Sequence, residues 1–345
     1  MPSAMMSSES PDPPRTPSER ANGGTHDEPA PSQQAPMSLR REPHRSEGSL
    51  LWRASGVLIT LRPHQWVKNV FVLAPVAFAK EIFDGVLLTR ASAAFLVFCL
   101  LASAVYTIND VADVEADRQH PVKRYRPIAA ERVPVTVARV LAIGLVAGAL
   151  GAAAIISGQF FLVAFGYFAL NVAYSLKLKH VAYLDVSCIA IGFVLRVVAG
   201  GFATHIEVSN YLLGCTVLLA LFLGFGKRRH ELSAAAGRGG QQRIVLESYT
   251  ARGLDVALAV TAVATVTTYL AYTLDSHTRE FFRSDWLWLS TLFVVLGMLR
   301  FVRLVRSRPH AESPTQEMLR DGPFMLVVLL WGMLMMWIVY NLRPS

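Results

Sequence analysis

The sequence predicts an all-α, multi-pass membrane protein with about nine transmembrane helices. Three observations predict this fold class: 53% of the 345 residues are hydrophobic, only 17% are charged, and the mean hydropathy is +0.38. An average soluble domain carries about 25% charged residues. The composition therefore excludes an ordinary water-soluble enzyme and favours a protein whose functional part lies in a lipid bilayer.

The N-terminal segment differs from the rest of the chain in composition. Residues 1–50 contain nine of the 18 prolines and carry seven acidic against five basic residues, whereas residues 51–345 carry 28 basic and 18 acidic residues. A segment with so few aliphatic side chains cannot bury enough surface to offset the entropy lost on ordering. We therefore expect a disordered cytoplasmic tail over residues 1–55 and one transmembrane domain over residues 56–345.

Nine apolar stretches follow, most of them close to the 20 or so residues that cross a bilayer. The first is the shortest, and charged and amide side chains stand at its entry. Gly144 and Gly148, four residues apart in the third stretch, are typical of helices that pack closely in lipid. The nine predicted helices are residues 66–80, 91–110, 135–156, 159–176, 184–203, 209–226, 254–274, 285–303 and 323–342.

Lysine and arginine residues are concentrated in alternate loops between these helices. One set of loops carries 18 of them and the opposite set carries five. Because basic loops stay on the cytoplasmic side, we place the richer set and the tail in the cytoplasm. The expected location is a bacterial-type cell (inner) membrane, with the N-terminus on the cytoplasmic side.

The second predicted helix ends in four side chains that carry oxygen ligands. At 100° per residue, Asn109, Asp110, Asp113 and Asp117 share an arc of about 100°, which we call the acidic face. Carboxylates at this spacing repel one another, and such ligands suit Mg²⁺, which completes its coordination with phosphate oxygens and water. We predict a magnesium–diphosphate site, with a solvated acidic helix end as the alternative. Asp110, Asp113 and Asp117 are the candidate catalytic residues, and Asn109, Asp113 and Asp117 are the candidate metal ligands. Asn109 is also a candidate substrate-binding residue.

A basic segment follows the acidic face directly. Lys123, Arg124 and Arg126 can bind phosphate oxygens, and each arginine can do so through two parallel hydrogen bonds. On its own, such a run is more often a positive-inside loop or a contact with anionic lipid. Beside the acidic face, it predicts the phosphate-binding half of the same site.

A second group of polar side chains lies between the fourth and fifth predicted helices. Tyr174, Lys177 and Lys179 close the fourth helix, and Asp185 opens the fifth. Arg196 falls about 20° from the face of Asp185 but about 16 Å farther along the helix, which excludes a direct pair. A charged group at that depth is costly and indicates function. All five are candidate substrate-binding residues; Asp185 is expected to meet a second metal or a substrate hydroxyl, with a salt bridge to another span as the alternative.

The entry to the first predicted helix supplies weaker candidates. Arg62, Trp66 and Asn69 recur at helical spacing, and Lys68 stands among them. We predict that Lys68 and Asn69 bind substrate, while a membrane-interface anchor of Trp and basic residues is the alternative. The three cysteines lie far apart in the sequence without metal spacing, so we expect them to be packing residues.

The pattern Asn-Asp-x-x-Asp-x-x-x-Asp over residues 109–117, in a nine-helix protein with basic cytoplasmic loops, resembles the UbiA superfamily of intramembrane prenyltransferases. Longer segments resemble one branch of it, the decaprenyl-phosphate phosphoribosyltransferases. The likeness extends over about residues 57–342. The segments that carry it are residues 62–69, 109–129, 174–180 and 192–201, with support from residues 226–232 and 313–321.

The resemblance implies a UbiA-like helix bundle whose active-site cavity faces the cytoplasm. It also implies a pentosyltransferase that uses Mg²⁺ to move 5-phosphoribose from phosphoribosyl diphosphate to a polyprenyl, decaprenyl-like, phosphate lipid. The products would be polyprenyl-phosphoryl-phosphoribose and diphosphate, in the synthesis of arabinose or ribose precursors of the cell envelope. No nucleic-acid partner is expected.

One departure from the prenyltransferase pattern affects the choice of donor. Those enzymes carry a second Asp-x-x-x-Asp motif in a later span, whereas here Asp185 is followed four residues later by Ile189. This fits a donor whose diphosphate belongs to a sugar. Two alternatives stay open: transfer of a prenyl group from prenyl diphosphate to an aromatic acceptor, and a cation transporter that uses Asp113 and Asp117.

Overall fold

The computed structural model describes residues 49–81, 83–236, 244–307, 317–318 and 320–341, and all regular secondary structure in this part of the chain is helical. The α-helices are α1 (Leu50–Leu61), α2 (Ala74–Phe78), α3 (Gly85–Ala112), α4 (Val114–Gln119), α5 (Val135–Ile156), α6 (Gly158–Leu176), α7 (Leu184–Thr204), α8 (Asn210–Ala236), α9 (Ala251–Leu274), α10 (Ser276–Phe282), α11 (Ser290–Ser307) and α12 (Gly322–Asn341). The 3-10 helices are Pro63–Leu73, Lys123–Tyr125, Leu178–His180, Ile244–Ser248 and Leu287–Leu289.

Seven of these helices are long and apolar enough to cross a membrane. They are α3, α5, α6, α7, α8, α9 and α11, the last with the 3-10 turn before it, and they match the second to eighth predicted helices. The predicted all-α, multi-pass class is therefore confirmed. The ninth predicted helix is present as α12, although its described apolar part, Gly322–Ile338, is shorter.

The first predicted helix has a different structure from the one expected. Residues 63–73 form a 3-10 helix, and α2 continues it for only five residues. Pro63 and Pro75 stand at the starts of these two elements, and proline removes a backbone donor that a continuous α-helix needs. The prediction of one regular helix over residues 66–80 is therefore wrong.

The helix α1 precedes this segment and was not predicted. Ser49 caps it, because the Ser49 hydroxyl accepts a hydrogen bond from the Trp52 backbone N–H at 3.1 Å. Arg132 holds it from the loop before α5, donating from Nε to the Trp52 carbonyl at 2.8 Å. Residues 50–55, which we assigned to the tail, are thus helical. The tail prediction for residues 1–48 lies outside the described residues.

The buried apolar side chains form two large cores. The first lies mainly between α3, α5, α6 and α7 and contains Phe98 and Phe160. The second lies mainly between α8, α9 and α11 and contains Phe222. The helix α7 belongs to both, because Val186 packs in the second core and Ala199 packs in the first.

Glycine positions show where helices approach most closely. A Cβ atom on Gly200 of α7 would overlap the carbonyl oxygen of Val72 in the 3-10 helix Pro63–Leu73. Only glycine therefore allows these two elements to touch. At Gly144 and Gly148, by contrast, a Cβ atom would meet no described atom within 4 Å. The close helix packing predicted at that pair is not formed among the described helices.

The connections between spans determine which helix ends lie together. Helices joined by short connections run antiparallel to each other, and α5, α6, α7 and α8 are joined in this way. The start of α5, the end of α6, the start of α7 and the end of α8 therefore share one end of the bundle. The acidic face lies between α3 and α5, on the same end.

Candidate active site

The acidic face crosses a break between two helices. The helix α3 ends at Ala112, Asp113 has a backbone of φ −93° and ψ 6°, and α4 begins directly after it. Backbone hydrogen bonds continue through the break: the Asp113 N–H donates to the Asn109 carbonyl at 2.9 Å, and the Asp117 N–H donates to the Asp113 carbonyl at 2.8 Å. The four-residue spacing of Asn109, Asp113 and Asp117 is thus kept.

Asp110 is buried, with 4% of its surface exposed, and is held by an arginine from the chain segment after α1. Arg62 Nη2 donates to Asp110 Oδ1 at 2.6 Å and to Oδ2 at 2.9 Å. Arg62 ends α1 in the left-handed conformation, with φ 51°, and its guanidinium lies over the Tyr106 ring at 4.9 Å. Arg62, which was not predicted as a site residue, therefore binds the carboxylate of the candidate catalytic residue Asp110.

Arg126 connects Asp110 to Asp117, which is 1% exposed. Its Nη1 atom donates to Asp117 Oδ2 at 2.6 Å and to Asp110 Oδ1 at 3.1 Å. Lys123 Nζ stands 4.0 Å from Asp117 Oδ1. The acidic face and the basic segment after it therefore form one cluster. Arg124 points elsewhere: it is exposed and donates to the Tyr125 hydroxyl at 2.7 Å.

The remaining ligand-type side chains of the acidic face have no such partners. Within the described part of the chain, the exposed Asp113 side chain and the half-buried Asn109 side chain make no hydrogen bond or ion pair. No three His, Cys, Asp or Glu side chains among the described residues are close enough to hold a metal by themselves. Mg²⁺ commonly binds one or two carboxylates and takes its other ligands from substrate phosphate and water. The donors present fit a magnesium ion that is shared with a phosphate.

Arg196 lies deep between α6, α7 and the 3-10 helix Pro63–Leu73 and is 8% exposed. Its guanidinium donates three hydrogen bonds of 2.8 Å, to Asn69 Oδ1, the Gly192 carbonyl and the Tyr167 hydroxyl. Asn69 is fully buried and donates in turn to Cys99 Sγ at 3.3 Å. Two predicted substrate-binding residues are thus brought together, and the arginine forms no ion pair with a described carboxylate.

Asp185 is fully buried at the start of α7. Arg228 Nε of α8 donates to Asp185 Oδ2 at 2.6 Å, and the Tyr249 hydroxyl donates to Asp185 Oδ1 at 2.5 Å. The Tyr249 oxygen also accepts the Tyr183 backbone N–H at 2.6 Å. Burial and the hydrogen bond to Asp185 raise the pKa of Tyr249. Of the two possibilities left open, the contacts match the salt bridge to another span.

The remaining candidates are three lysines and one tyrosine. Lys68 and Lys177 are exposed, and Lys179 and Tyr174 are half-buried. In the described chain neither Lys177 nor Lys179 forms an ion pair, so both ammonium groups stay accessible to an anion at this end of the bundle.

Three residues contact the candidate site residues but were not predicted from the sequence: Arg62, Arg228 and Tyr249. Arg62 had a usable signal, since it shares helical spacing with Trp66 and Asn69. The contacts of Arg228 and Tyr249 with Asp185 join positions 43 and 64 residues apart, and no spacing in the sequence predicts them.

Comparison with known proteins finds similarity over most of the chain. The UbiA prenyltransferase family model matches residues 70–320. A protein of Mycobacterium tuberculosis named decaprenyl-phosphate phosphoribosyltransferase is 39% identical over 284 residues, which cover 80% of this chain and 92% of that protein. A protein of the same name from Corynebacterium glutamicum is 35% identical over 291 residues, which cover 83% and 87% of the two chains.

Solved structures resemble the chain in fold. A UbiA homolog from Archaeoglobus fulgidus, bound to DMAPP and Mg²⁺, matches with a TM-score of 0.59 and 21% identity over 83% of this chain and 99% of that chain. The identity is low, so the likeness concerns the fold alone. It confirms the UbiA-like helical architecture expected from the sequence.

Proposed function

The chain belongs to the UbiA prenyltransferase family and is a transferase, and we propose that it moves 5-phosphoribose from phosphoribosyl diphosphate to a polyprenyl, decaprenyl-like, phosphate. The products are polyprenyl-phosphoryl-phosphoribose and diphosphate. The observation that carries the proposal is the single cluster in which Arg126 joins Asp110 and Asp117. Metal-binding acids and phosphate-binding cations then act on the same diphosphate. The names of the two relatives support phosphoribose as the transferred group.

Asn109, Asp113 and Asp117 are the residues that would hold a magnesium ion. Asn109 and Asp113 offer oxygens that no described side chain engages, and Asp117 lies one helical turn farther along the same face. When bound, Mg²⁺ neutralises the negative charge that develops on the departing diphosphate. The structural relative from Archaeoglobus fulgidus is bound to both DMAPP and Mg²⁺, which supports a metal in this fold.

In the proposed reaction, an oxygen of the acceptor phosphate attacks C1 of the ribose. The bond between C1 and the diphosphate oxygen breaks, and diphosphate leaves with the electron pair. Positive charge develops on the ribose, where the carboxylates of Asp110, Asp113 and Asp117 stabilise it. The acceptor phosphate is already an anion, so the chain needs no general base.

The basic residues orient the diphosphate and the 5-phosphate of the donor and the phosphate of the acceptor. Lys123 and Arg126 stand beside the acidic face, where the diphosphate binds. We assign Arg124, Lys177 and Lys179 to the 5-phosphate and to the phosphate of the acceptor, because their side chains are exposed or half-buried at the same end of the bundle.

The deeper polar residues are assigned to the acceptor side. Arg196 carries a buried charge whose described partners are all neutral, so a lipid phosphate drawn toward it would supply the missing negative charge. We also assign the exposed Lys68 and the half-buried Tyr174 to the acceptor side. For Asp185 the contacts favour a positioning role, since it fastens the start of α7 to Arg228.

The protein is an integral membrane protein, and exposed apolar side chains on its long helices suit contact with lipid chains. We place it in the cell (inner) membrane with the active site facing the cytoplasm, because 18 basic residues lie in one set of loops and five in the other. A cytoplasmic site is the one that a charged, water-soluble donor reaches. A role in supplying cell-envelope pentose precursors follows from the proposed product.

The decisive experiment supplies purified protein with radiolabelled phosphoribosyl diphosphate, a polyprenyl phosphate and Mg²⁺. A labelled lipid with the mass of the phosphoribosyl product is expected, and chelation of the metal should abolish it. Absence of that lipid overturns the proposal. Formation of a prenylated aromatic compound from prenyl diphosphate would favour the prenyltransferase alternative, and cation flux into vesicles without lipid product would favour the transporter.

A further inference from the structure

Arg126 places one nitrogen beside two carboxylates of the acidic face. Its Nη1 atom lies 2.6 Å from Asp117 Oδ2 and 3.1 Å from Asp110 Oδ1, so these two oxygens are no more than about 5.7 Å apart, the sum of the two distances. A metal ion bound to Asp117 Oδ2 would lie beside this guanidinium nitrogen. The two cations would repel each other across that short distance.

The second oxygen of Asp117 also faces a cation, since Lys123 Nζ stands 4.0 Å from Oδ1. Asp110 is occupied as well, because Arg62 binds both of its oxygens. A metal ion on Asp117 therefore competes with a side-chain cation, with Arg126 at Oδ2 or with Lys123 near Oδ1. The displaced guanidinium of Arg126 would lose its shortest hydrogen bond to a carboxylate.

Arg126 has the freedom to exchange partners, whereas the carboxylates do not. Its side chain is 29% exposed, while those of Asp110 and Asp117 are 4% and 2% exposed. Its backbone is fixed, because its N–H donates to the Lys123 carbonyl at 2.9 Å and Pro127 follows. Exchange is therefore a rotation of the side chain toward a ligand that enters from water.

We propose that Arg126 competes with the metal ion for Asp117, so that the site takes up a metal–diphosphate complex far better than the metal alone. The inference rests on the proposed function, which brings a metal-bound diphosphate to the acidic face. A diphosphate offers Arg126 two phosphate oxygens in place of the Asp117 oxygen. A metal ion alone offers it nothing, and a partly buried cation that loses one of its two carboxylates is destabilised.

The test measures binding of the metal and of diphosphate separately, with purified full-length protein and Mn²⁺ as the probe, since Mn²⁺ suits the same oxygen ligands. Electron paramagnetic resonance follows Mn²⁺ added alone. Equilibrium dialysis follows labelled pyrophosphate at saturating Mn²⁺. Arg126→Gln should bind Mn²⁺ at least about fivefold more tightly than the unmodified protein and bind manganese pyrophosphate at least about tenfold more weakly.

Arg118→Gln is the matched control. Arg118 lies in α4, close in sequence to Arg126, but pairs with the exposed Glu115 and Glu131. Arg118→Gln removes the same charge but leaves the contacts of Asp110 and Asp117 unchanged. The affinities for Mn²⁺ and for manganese pyrophosphate should both stay within about twofold of those of the unmodified protein. Equal effects of the two substitutions would mean that long-range charge, not competition, sets metal affinity, and would overturn the proposal.

Two further outcomes are distinguishable. If Arg126→Gln binds Mn²⁺ no more tightly than the unmodified protein, the competition is absent, even where labelled lipid product still forms. If Arg126→Gln does not fold, Arg126→Lys carries the test, because an ammonium group binds the two carboxylates less well and should also tighten Mn²⁺ binding. Failure to transfer labelled phosphoribose, in contrast, refutes the proposed function and leaves the metal competition to be judged by the Mn²⁺ titration.

Discussion

Arg196 Nε donates a hydrogen bond of 2.8 Å to Asn69 Oδ1, which joins two residues 127 positions apart in the interior of the helix bundle. The Tyr167 and Phe193 rings flank the same guanidinium at 4.7 and 5.2 Å. The group is thus held by neutral oxygens and aromatic faces. This leaves its positive charge available to an anion.

Substitution of Arg196 should strongly slow the transfer of phosphoribose while the protein still folds. We expect kcat/KM of Arg196→Gln to fall at least about 100-fold, equivalent to about 2.7 kcal/mol. Arg196→Lys should not restore it, because an ammonium group cannot reproduce the planar set of three hydrogen bonds. Arg90→Gln, on the exposed surface of α3, is the control. Full activity of Arg196→Lys would show that charge alone suffices.

Asp113→Asn and Asp117→Asn should each reduce lipid product to below about 1% of the original rate, because each removes a carboxylate that we propose binds the metal. Their stabilities should differ. Asp113 is exposed without a described partner, whereas Asp117 is buried against Arg126, so only Asp117→Asn should lower the unfolding temperature. Glu115→Gln, on the opposite side of α4, should match the original protein in both measurements. Near-normal turnover in both aspartate variants would contradict the proposed metal site.

The pair Asp185–Arg228 should act on stability. Asp185→Asn removes one of the two carboxylates that the buried Arg228 binds, and Glu231 remains. The loss of stability should therefore stay below the roughly 3–5 kcal/mol seen when a buried charge loses its only partner. Tyr249→Phe removes a hydrogen bond to Asp185 and leaves the Tyr183 N–H without an acceptor, so a loss of about 1–3 kcal/mol is expected. Thermal unfolding in detergent measures both. Equal unfolding temperatures for all three proteins would contradict the assignment.

Gly200→Ala tests the contact between α7 and the 3-10 helix Pro63–Leu73. The added methyl group would overlap the Val72 carbonyl oxygen, and such overpacking costs about 1–3 kcal/mol. Because Asn69 and Arg196 face each other across the same contact, activity should fall together with stability. Gly148→Ala introduces the same group where no described atom lies within 4 Å. It should change neither the unfolding temperature nor the yield of labelled lipid.

The acidic face and the spans were predictable because each depends on residues that are close together in the sequence. Helical spacing alone puts Asp110 and Asp117 on one side of the chain, and an apolar stretch of about 20 residues identifies a span. The segment over residues 66–80 was mispredicted because its apolar composition outweighed Pro63 just before it and Pro75 within it. Each proline removes a backbone donor that a continuous α-helix needs. The close helix packing predicted at Gly144 and Gly148 failed for another reason. Their spacing shows that the two glycines share a face of the helix, but it does not show which element packs against that face.

Contacts between distant residues were beyond the reach of spacing. The partner of Asp185 could have been any basic residue on another span, and the structure selects Arg228. Arg62 reaches Asp110 because a single left-handed residue ends α1 and redirects the chain. Sequence patterns supplied the chemical types in the site. The fold decided which of them meet.

The helix α7 is shared between two packed cores, with Val186 in one and Ala199 in the other. Each core also holds one buried charge of this helix, Asp185 near Val186 and Arg196 near Ala199. Substitutions on α7 must therefore be compatible with both packed cores, which reduces the number of side chains that this helix tolerates. Redesign of substrate preference should begin on other helices, because a change of shape on α7 would disturb both packed cores together.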